Sequence, residues 1–188
     1  MVSRKKRRIA RAIYHQSINK EIKEVDVESI YFACQEWWLP YLKYWRQNNG
    51  SVTRYINCPW TLFVEDYVRL RDEIWDNFED HVCIKWERDM FLTADKRTHK
   101  KIDGLRSEKR FSAKGVAKRL IILVDSINKY GYCGGEYNNE GSLINVVDGY
   151  VSPYDGSKGY KLLKGNHRIA VCAGLGIKKI KVKCWEYY

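Results

Sequence analysis

One short stretch of the chain concentrates the residue types that bind phosphate. It comprises Lys164, Gly165, Asn166, His167 and Arg168, and it separates two apolar runs. The pattern predicts a strand, a tight glycine turn and a helix start, where unpaired backbone N–H groups and the positive end of the helix dipole face an anion. The guanidinium of Arg168 adds a fork of donors that matches phosphate oxygens. We therefore expect a phosphate to bind at residues 165–168.

The same residues also suit an ordinary helix start. Asn166 is a common N-cap, because its side-chain oxygen can accept a hydrogen bond from the first helical amides. Arg168 would then be a solvated surface charge. The two interpretations differ in whether these amides are open to a ligand or satisfied by the protein.

Apolar periodicity predicts the elements on either side of this turn. Residues 160–163 form a short apolar strand. After the turn, a helical face ends at Gly174 or Gly176 and consists of Ile169, Ala170, Ala173 and Leu175. Alternation of apolar residues with lysines predicts a further strand over residues 177–184.

A second helix and strand are predicted upstream. The helical face consists of Val116, Leu120, Leu123, Val124 and Ile127. Gly131 suits the end of this helix, because glycine readily adopts the left-handed conformation of a C-terminal cap. The run "SLINVVDGY" then predicts a strand followed by a turn at Asp148-Gly149.

The order of these elements resembles the ParB/sulfiredoxin superfamily over roughly residues 113–185. Members show a helix ending in an "SI…G" signature, which Ser126, Ile127 and Gly131 match. They also show a "G-x-x-R" turn entering a helix, which is matched by Gly165, His167, Arg168 and Ala170. The resemblance implies a small mixed sheet with flanking helices, an α/β (mixed α+β) fold.

The resemblance also implies a nucleotide site. Relatives bind ATP or CTP at this turn, so residues 164–168 would contact the phosphates, with Mg²⁺ expected alongside the nucleoside triphosphate. Some relatives are small-molecule kinases, which implies an NTP-dependent phosphotransferase or NTP hydrolase. Other relatives are described as nucleases, and an interaction protein that has lost the site is a further alternative.

Two departures from the family pattern bear on the chemistry. Asn166 stands where sulfiredoxins place their reactive cysteine, so repair of cysteine sulfinic acid is not expected. Lys164 stands where kinase-like relatives often have an acid, which leaves the general base open. Asp103 and Glu28 are the candidate bases, although Asp103 also suits a turn with Gly104 and Glu28 a solvent-facing strand position.

The remaining sequence divides around this core in a single predicted domain. Residues 1–23 are predicted to form a basic N-terminal arm or an amphipathic helix, and "EVDVESI" is predicted to form an opening strand. Residues 31–112 are predicted to be a helical, aromatic-rich insertion, which precedes the core at residues 113–188. Within the insertion, residues 61–81 predict one helix with Thr61 as its cap. The tryptophans of residues 41–100 would serve core packing or base stacking; they are Trp45, Trp60, Trp75 and Trp86.

The charge of the chain indicates an anionic partner. Its formal net charge is +11, which attracts nucleotides and nucleic acids alike. A basic stretch over residues 93–115 reads either as a solvated loop or as a second anion-binding patch that includes Arg106, Lys109 and Arg110. Nucleic acid is therefore the alternative partner to a nucleotide.

The sequence offers no sign of a metal site or a membrane anchor. Its six cysteines are scattered without a C-x-x-C pair, so reduced thiols are expected. No apolar run approaches the roughly 20 residues that cross a bilayer. These features predict a cytoplasmic protein that does not bind membranes.

Overall fold

A five-stranded mixed sheet lies at the centre of the computed structural model, which describes residues 20–32, 36–46, 53–132 and 143–185. Its strands are β1 (Lys20–Asp26), β2 (Ile30–Tyr31), β5 (Ile144–Val151), β6 (Lys158–Lys164) and β7 (Lys179–Trp185). They lie in the order β1-β7-β5-β6-β2. β1 is antiparallel to β7, as is β5 to β6, whereas β5 is parallel to β7 and β2 to β6. A separate hairpin pairs β3 (Ala94–Asp95) with β4 (Lys100–Lys101).

Helices complete the described fold and confirm the predicted mixed α/β class. The α-helices are α1 (Pro59–Leu70), α2 (Ile74–Asn77), α3 (Val82–Thr93), α4 (Ala113–Tyr130) and α5 (Asn166–Gly174). Short 3-10 helices cover Val27–Ser29, Glu36–Tyr44, Tyr55–Asn57, Arg71–Glu73, Phe78–Asp80 and Glu108–Arg110. α5 packs against α1 and α4, and α3 packs against the same two helices.

Close packing between α1 and α5 fixes the position of the helix that follows the candidate phosphate turn. A Cβ atom added at Gly174 would lie 2.6 Å from the Cβ of Val64, so only glycine permits this approach. Phe63 and Val64 are fully buried, and burial of each such side chain contributes about 1.5–3 kcal/mol. Packing of its apolar face against α1 therefore holds α5 in place.

The predicted elements of the core are largely confirmed. α4 begins after Ser112, whose hydroxyl oxygen accepts a bond from the Gly115 amide at 3.1 Å, and it ends at Gly131 with a φ of 75°. β6, a glycine turn and α5 follow in the predicted order. The apolar periodicity of the sequence was sufficient to predict these elements because each of them is amphipathic.

The single helix predicted over residues 61–81 is wrong. α1 ends at Leu70, and Arg71 adopts a φ of 52°, which breaks the helix before the short helix α2 with a 3-10 turn on either side. Thr61 is not a cap, because α1 begins at Pro59. The buried Thr61 hydroxyl instead donates to the Tyr55 carbonyl oxygen at 2.6 Å, which ties α1 to the segment before it.

The turn predicted at Asp148-Gly149 lies inside β5. The strand continues to Val151 through a register shift, and the positive φ of Gly149 absorbs the bulge, so the chain reverses only after the strand. The Asp148 carboxylate accepts a bond from the Gly149 amide at 2.7 Å. A local aspartate–glycine signal therefore marks a bulge here.

The predicted N-terminal elements also need correction. Residues 1–19 of the basic arm or helix lie outside the described residues, but residues 20–23 belong to β1 because their backbone pairs with β7. The opening strand is interrupted, since the Val27 amide donates to the Lys178 carbonyl oxygen and Val27–Ser29 turns as a 3-10 helix. Glu28 therefore lies in a turn between β1 and β2.

The aromatic residues in the described part of the predicted insertion serve mainly as core. Trp45, Trp60 and Trp86 are buried, and Trp86 makes edge contacts with the other two rings at centroid distances of 5.9 and 4.7 Å. The rings of Trp45 and Trp86 have no open face for a base, whereas Trp60, although buried, also lines a cavity. The packing interpretation is confirmed for these three tryptophans.

Candidate functional site

Gly165 forms the turn between β6 and α5, and no other residue type fits there. Its φ is 110°, a backbone conformation that side-chain-bearing residues rarely adopt. A Cβ atom at this position would also lie 2.8 Å from Cγ1 of Ile144. The glycine thus lets the chain leave the sheet directly above β5 and enter the helix.

The first amides of α5 are open to a ligand. Within the described ranges, the backbone N–H groups of Asn166, His167 and Arg168 have no protein acceptor. The next amide, that of Ile169, donates to the Gly165 carbonyl oxygen at 3.0 Å. This geometry matches the predicted helix start, in which three donors and the positive helix end point the same way.

Asn166 does not act as the N-cap. Gly165 occupies the cap position, and no side chain among the described residues caps the helix there. The side-chain oxygen of Asn166 instead accepts a bond from the hydroxyl of Tyr55 at 2.5 Å. Tyr55 is fully buried, so it holds the Asn166 side chain away from the helix amides and leaves them uncapped.

An open cavity of about 670 Å³ lies in front of these amides, between α5 and α4. Residues 164–168 form one wall, and α4 supplies the other with Lys118, Arg119, Ile122 and Leu123. Its basic side chains are Lys118, Arg119, Lys164 and Arg168, and the described lining includes no carboxylate. The cavity therefore favours an anion, with the apolar side chains of α4 available to a flat or apolar group.

A carboxylate that the sequence analysis missed, Glu87, reaches the back of the turn from α3. Its Oε1 atom accepts a bond from the indole Nε1 of Trp60 at 2.7 Å. The His167 Nε2 atom lies 3.8 Å from the same oxygen, an ion-pair distance longer than a hydrogen bond. The His167 ring also lies 4.4 Å from the Trp60 ring between centroids. The Glu87 side chain is only 17% exposed.

The surroundings of Glu87 keep it ionised. Burial by itself would raise the pKa of this carboxyl group. Interactions with His167 and the Trp60 indole, together with the positive charge of Arg119, outweigh burial and lower the pKa below its ordinary value. Glu87 is therefore a carboxylate at neutral pH, enclosed by donors on the side of the turn.

A signal for Glu87 was present in the sequence. Cys83, Glu87 and Met90 follow a helical spacing, and Cys83 is fully buried in α3 while Met90 packs against the core. An acid on an apolar helical face requires partners, because burying an unpaired charge is costly. The long separation between Glu87 and the turn concealed which partners these were.

The two predicted general bases, Glu28 and Asp103, do not lie at the glycine turn. Glu28 lines a separate cavity of about 200 Å³ with Ala173 and Gly176, at the C-terminal end of α5. Because α5 has nine residues, the two ends of this helix lie about 13 Å apart. Asp103 is exposed in the loop after β4 and lines neither cavity at the turn. The structure brings neither residue to residues 165–168.

The predicted anion patch is exposed and only partly meets the turn. Arg106 lines a second cavity beside His167, and its Nη1 atom donates to the Phe91 carbonyl oxygen at 2.6 Å. Arg110 lines a third cavity of about 520 Å³ beside Arg119. Lys109 is exposed and lines none of these three cavities.

The chain matches no protein-family model, no curated protein and no solved structure. The resemblance to the ParB/sulfiredoxin superfamily therefore stays a prediction. The described residues contain no cluster of three or more side chains that could hold a metal ion. In the same ranges, no helix combines the length and apolar character needed to cross a bilayer.

Proposed function

We propose that this chain binds the phosphates of a nucleoside triphosphate at residues 165–168 and transfers the terminal phosphoryl group to an acceptor hydroxyl or to water. The observation that carries the proposal is the set of three amides at the start of α5, which have no acceptor among the described residues and open onto the 670 Å³ cavity. Backbone donors at a helix start are a general means of binding phosphate.

The charge around the cavity supports the same proposal. Phosphoryl transfer depends mainly on positioning and on neutralising the charge of the phosphate oxygens. Lys118, Arg119 and Arg168 supply positive charge from two facing helices. The described lining does not fit a site in which protein carboxylates hold Mg²⁺, because it includes none. Mg²⁺ stays an expectation for bound ATP or CTP, on which it would neutralise phosphate charge.

Glu87 is the proton acceptor that we assign in place of Asp103 or Glu28. The acceptor hydroxyl gives its proton to the Glu87 carboxylate while its oxygen forms a bond to the terminal phosphorus. The bond from that phosphorus to the bridging oxygen breaks, and the nucleoside diphosphate leaves with the electron pair. An ionised carboxylate beside the phosphate turn suits this role, and general bases typically contribute about 10²–10⁴-fold in rate.

Calorimetric titration with ATP, CTP and GTP in the presence of Mg²⁺ tests the proposal. We expect the wild-type protein to bind at least one of them and Arg168→Ala to bind it about tenfold or more weakly, because charge-assisted bonds contribute about 1.5–3 kcal/mol. Lys178→Ala is the matched control, because Lys178 lies beyond the opposite end of α5. Absence of binding to all three nucleotides would overturn the proposal.

Nucleic-acid binding is a second candidate, favoured by the exposed basic residues beyond α3. These are Lys96, Arg97, Lys100, Lys101, Lys109 and Arg110. Binding through them should weaken steeply with added salt as counterions are released from the phosphates. A filter-binding titration with single- and double-stranded DNA and RNA at two salt concentrations checks this, and salt-insensitive or absent binding would remove the candidate.

A further inference from the structure

A second cavity adjoins the phosphate turn from the side of the insertion. It has a volume of about 460 Å³, within the usual range for small-molecule sites. Asn166, His167 and Arg119 line both this cavity and the 670 Å³ cavity. Glu87 lines only the smaller of these two. The two spaces therefore meet at the turn, with the carboxylate on the insertion side.

Large apolar side chains form the walls of this second cavity. Trp38 and Trp60 line it together with Met90 and Phe91 from α3. The buried Trp60 is fixed by its hydrogen bond to Glu87, so this part of the wall is rigid. Such walls suit a planar ring or an extended apolar body.

Two cations stand at the cavity and are held there by local structure. Arg106 stacks on the Phe91 ring at 5.3 Å while donating to the Phe91 carbonyl oxygen. Lys96 lies in the turn of the β3–β4 hairpin, next to Asp95. The Asp95 carboxylate accepts bonds from the Arg97 amide at 2.9 Å and from the Thr98 hydroxyl at 2.7 Å, which fixes the turn that carries Lys96.

The charge of the cavity is positive despite Glu87. Lys96, Arg106 and Arg119 carry three positive charges, and Glu87 is the single carboxylate in the described lining. The carboxylate lies beside His167 and Trp60, whereas Lys96 and Arg106 come from the hairpin and the loop after it. An occupant would therefore place a hydroxyl towards Glu87 and an anionic group towards Lys96 and Arg106.

We propose that this cavity binds a small hydroxyl compound with an aromatic or extended apolar body and an anionic end group, a carboxylate or a phosphate. The assignment of this hydroxyl compound as the phosphoryl acceptor rests on the proposed function. The charge preference does not depend on that function, because it follows from the lining residues alone.

Ligands that share one ring and differ in end charge test the proposal without any nucleotide. The probes are 4-hydroxyphenylacetate (carboxylate), 4-hydroxybenzylphosphonate (phosphonate), tyrosol (neutral) and tyramine (cationic), titrated against the tryptophan fluorescence of the full chain. We expect at least one anionic probe to bind about tenfold or more tightly than tyramine, and the two anions distinguish a carboxylate from a phosphate-like end group. Equal binding of all four, tighter binding of tyramine or no binding of any would overturn the proposal.

One variant in the hairpin turn and one control variant outside it locate the charge preference. Lys96→Glu should reduce the ratio of anion to tyramine affinity about tenfold or more, and Lys109→Glu should leave it unchanged because Lys109 does not line the cavity. Lys96 is exposed, so its replacement leaves the core intact. An unchanged ratio in Lys96→Glu contradicts the proposal. Titration of the Lys96→Glu variant with ATP separates a failure of this proposal from a failure of the proposed nucleotide site.

Discussion

The Nε2 atom of His167 lies 3.8 Å from Oε1 of Glu87, although the two residues are 80 positions apart along the chain. His167 is in the first turn of α5, and Glu87 is in the middle of α3 within the insertion. The predicted insertion is therefore a wall of the candidate site as well as a source of core aromatics. A function assigned to the turn alone would not account for the Glu87 carboxylate buried beside it.

Replacing Glu87 with glutamine should separate binding from turnover. The glutamine oxygen can still accept from Trp60, so the fold and nucleotide affinity should change little. Loss of the proton acceptor should lower the rate of phosphoryl transfer or NTP hydrolysis about 100-fold or more, as measured by release of nucleoside diphosphate. Glu79→Gln, an exposed change in the same insertion, is the control. Wild-type turnover in Glu87→Gln would remove Glu87 from the mechanism.

Gly165→Ala should destabilise the protein more than Gly156→Ala. Both glycines have positive φ angles, 110° and 68°, but a Cβ at Gly165 meets Ile144 whereas one at Gly156 meets nothing within 4 Å. Backbone strain costs of order 1–3 kcal/mol at each site, and the contact with Ile144 adds to it only at Gly165. Urea denaturation of both variants measures the difference. Equal losses would mean that the turn relaxes away from β5.

The turn itself could be predicted from the sequence, because its information is local. Gly165 and the apolar face of α5 lie within a few residues of each other, so periodicity indicated strand, turn and helix. The role of Glu87 could not be predicted, since its partners Trp60 and His167 come together only through the packing of α1, α3 and α5.

Backbone irregularities were the other features that the sequence did not reveal. Arg71 has a positive φ without being glycine, and the apolar pattern continues through it, so the break in the helix carried no signal. Asp148-Gly149 has the sequence of a turn and forms a bulge within β5, since β6 still pairs on both sides of it. In both places the tertiary context overrides the local preference.

Removing the Tyr55 hydroxyl should loosen the turn without opening the core. Tyr55→Phe loses the bond to the Asn166 side chain, which should cost about 0.5–1.5 kcal/mol of unfolding free energy. Nucleotide affinity should also fall, by up to about tenfold, where tenfold corresponds to 1.4 kcal/mol. Tyr41→Phe, which loses a buried bond to Thr93, should cost similar stability and leave affinity unchanged. Equal affinities in both variants would contradict a positioning role for Tyr55.

Stability should fall as the pH drops through the range in which histidine titrates. Burial lowers the pKa of His81 from its ordinary value of 6.5, although Asp66 partly opposes this. The Nδ1 atom of His81 accepts a bond from the Cys83 amide at 3.0 Å, so the folded state favours the neutral ring at the start of α3. The contribution of the neutral His81 ring to the free energy of unfolding is complete above pH 6.5 and is lost progressively below it.

Urea denaturation at pH 7.5 and 5.5 measures this effect, with His81→Asn as the comparison. Asparagine keeps a capping oxygen but does not titrate. The wild type should lose more unfolding free energy between the two pH values than the variant does. The lowered pKa of Asp66 affects stability only at a more acidic pH, outside this window. Identical losses in the two proteins would show that His81 does not carry the dependence.

The central claim is that the first amides of α5 bind phosphate, and a ¹⁵N-resolved amide titration with ATP tests it most directly. The account predicts that the backbone amide resonances of Asn166, His167 and Arg168 shift most, with saturating behaviour and with no comparable shift at Lys178 beyond the other end of the helix. Amides at residues 166–168 that stay unmoved while ATP binds elsewhere, or do not respond to ATP at all, would contradict it.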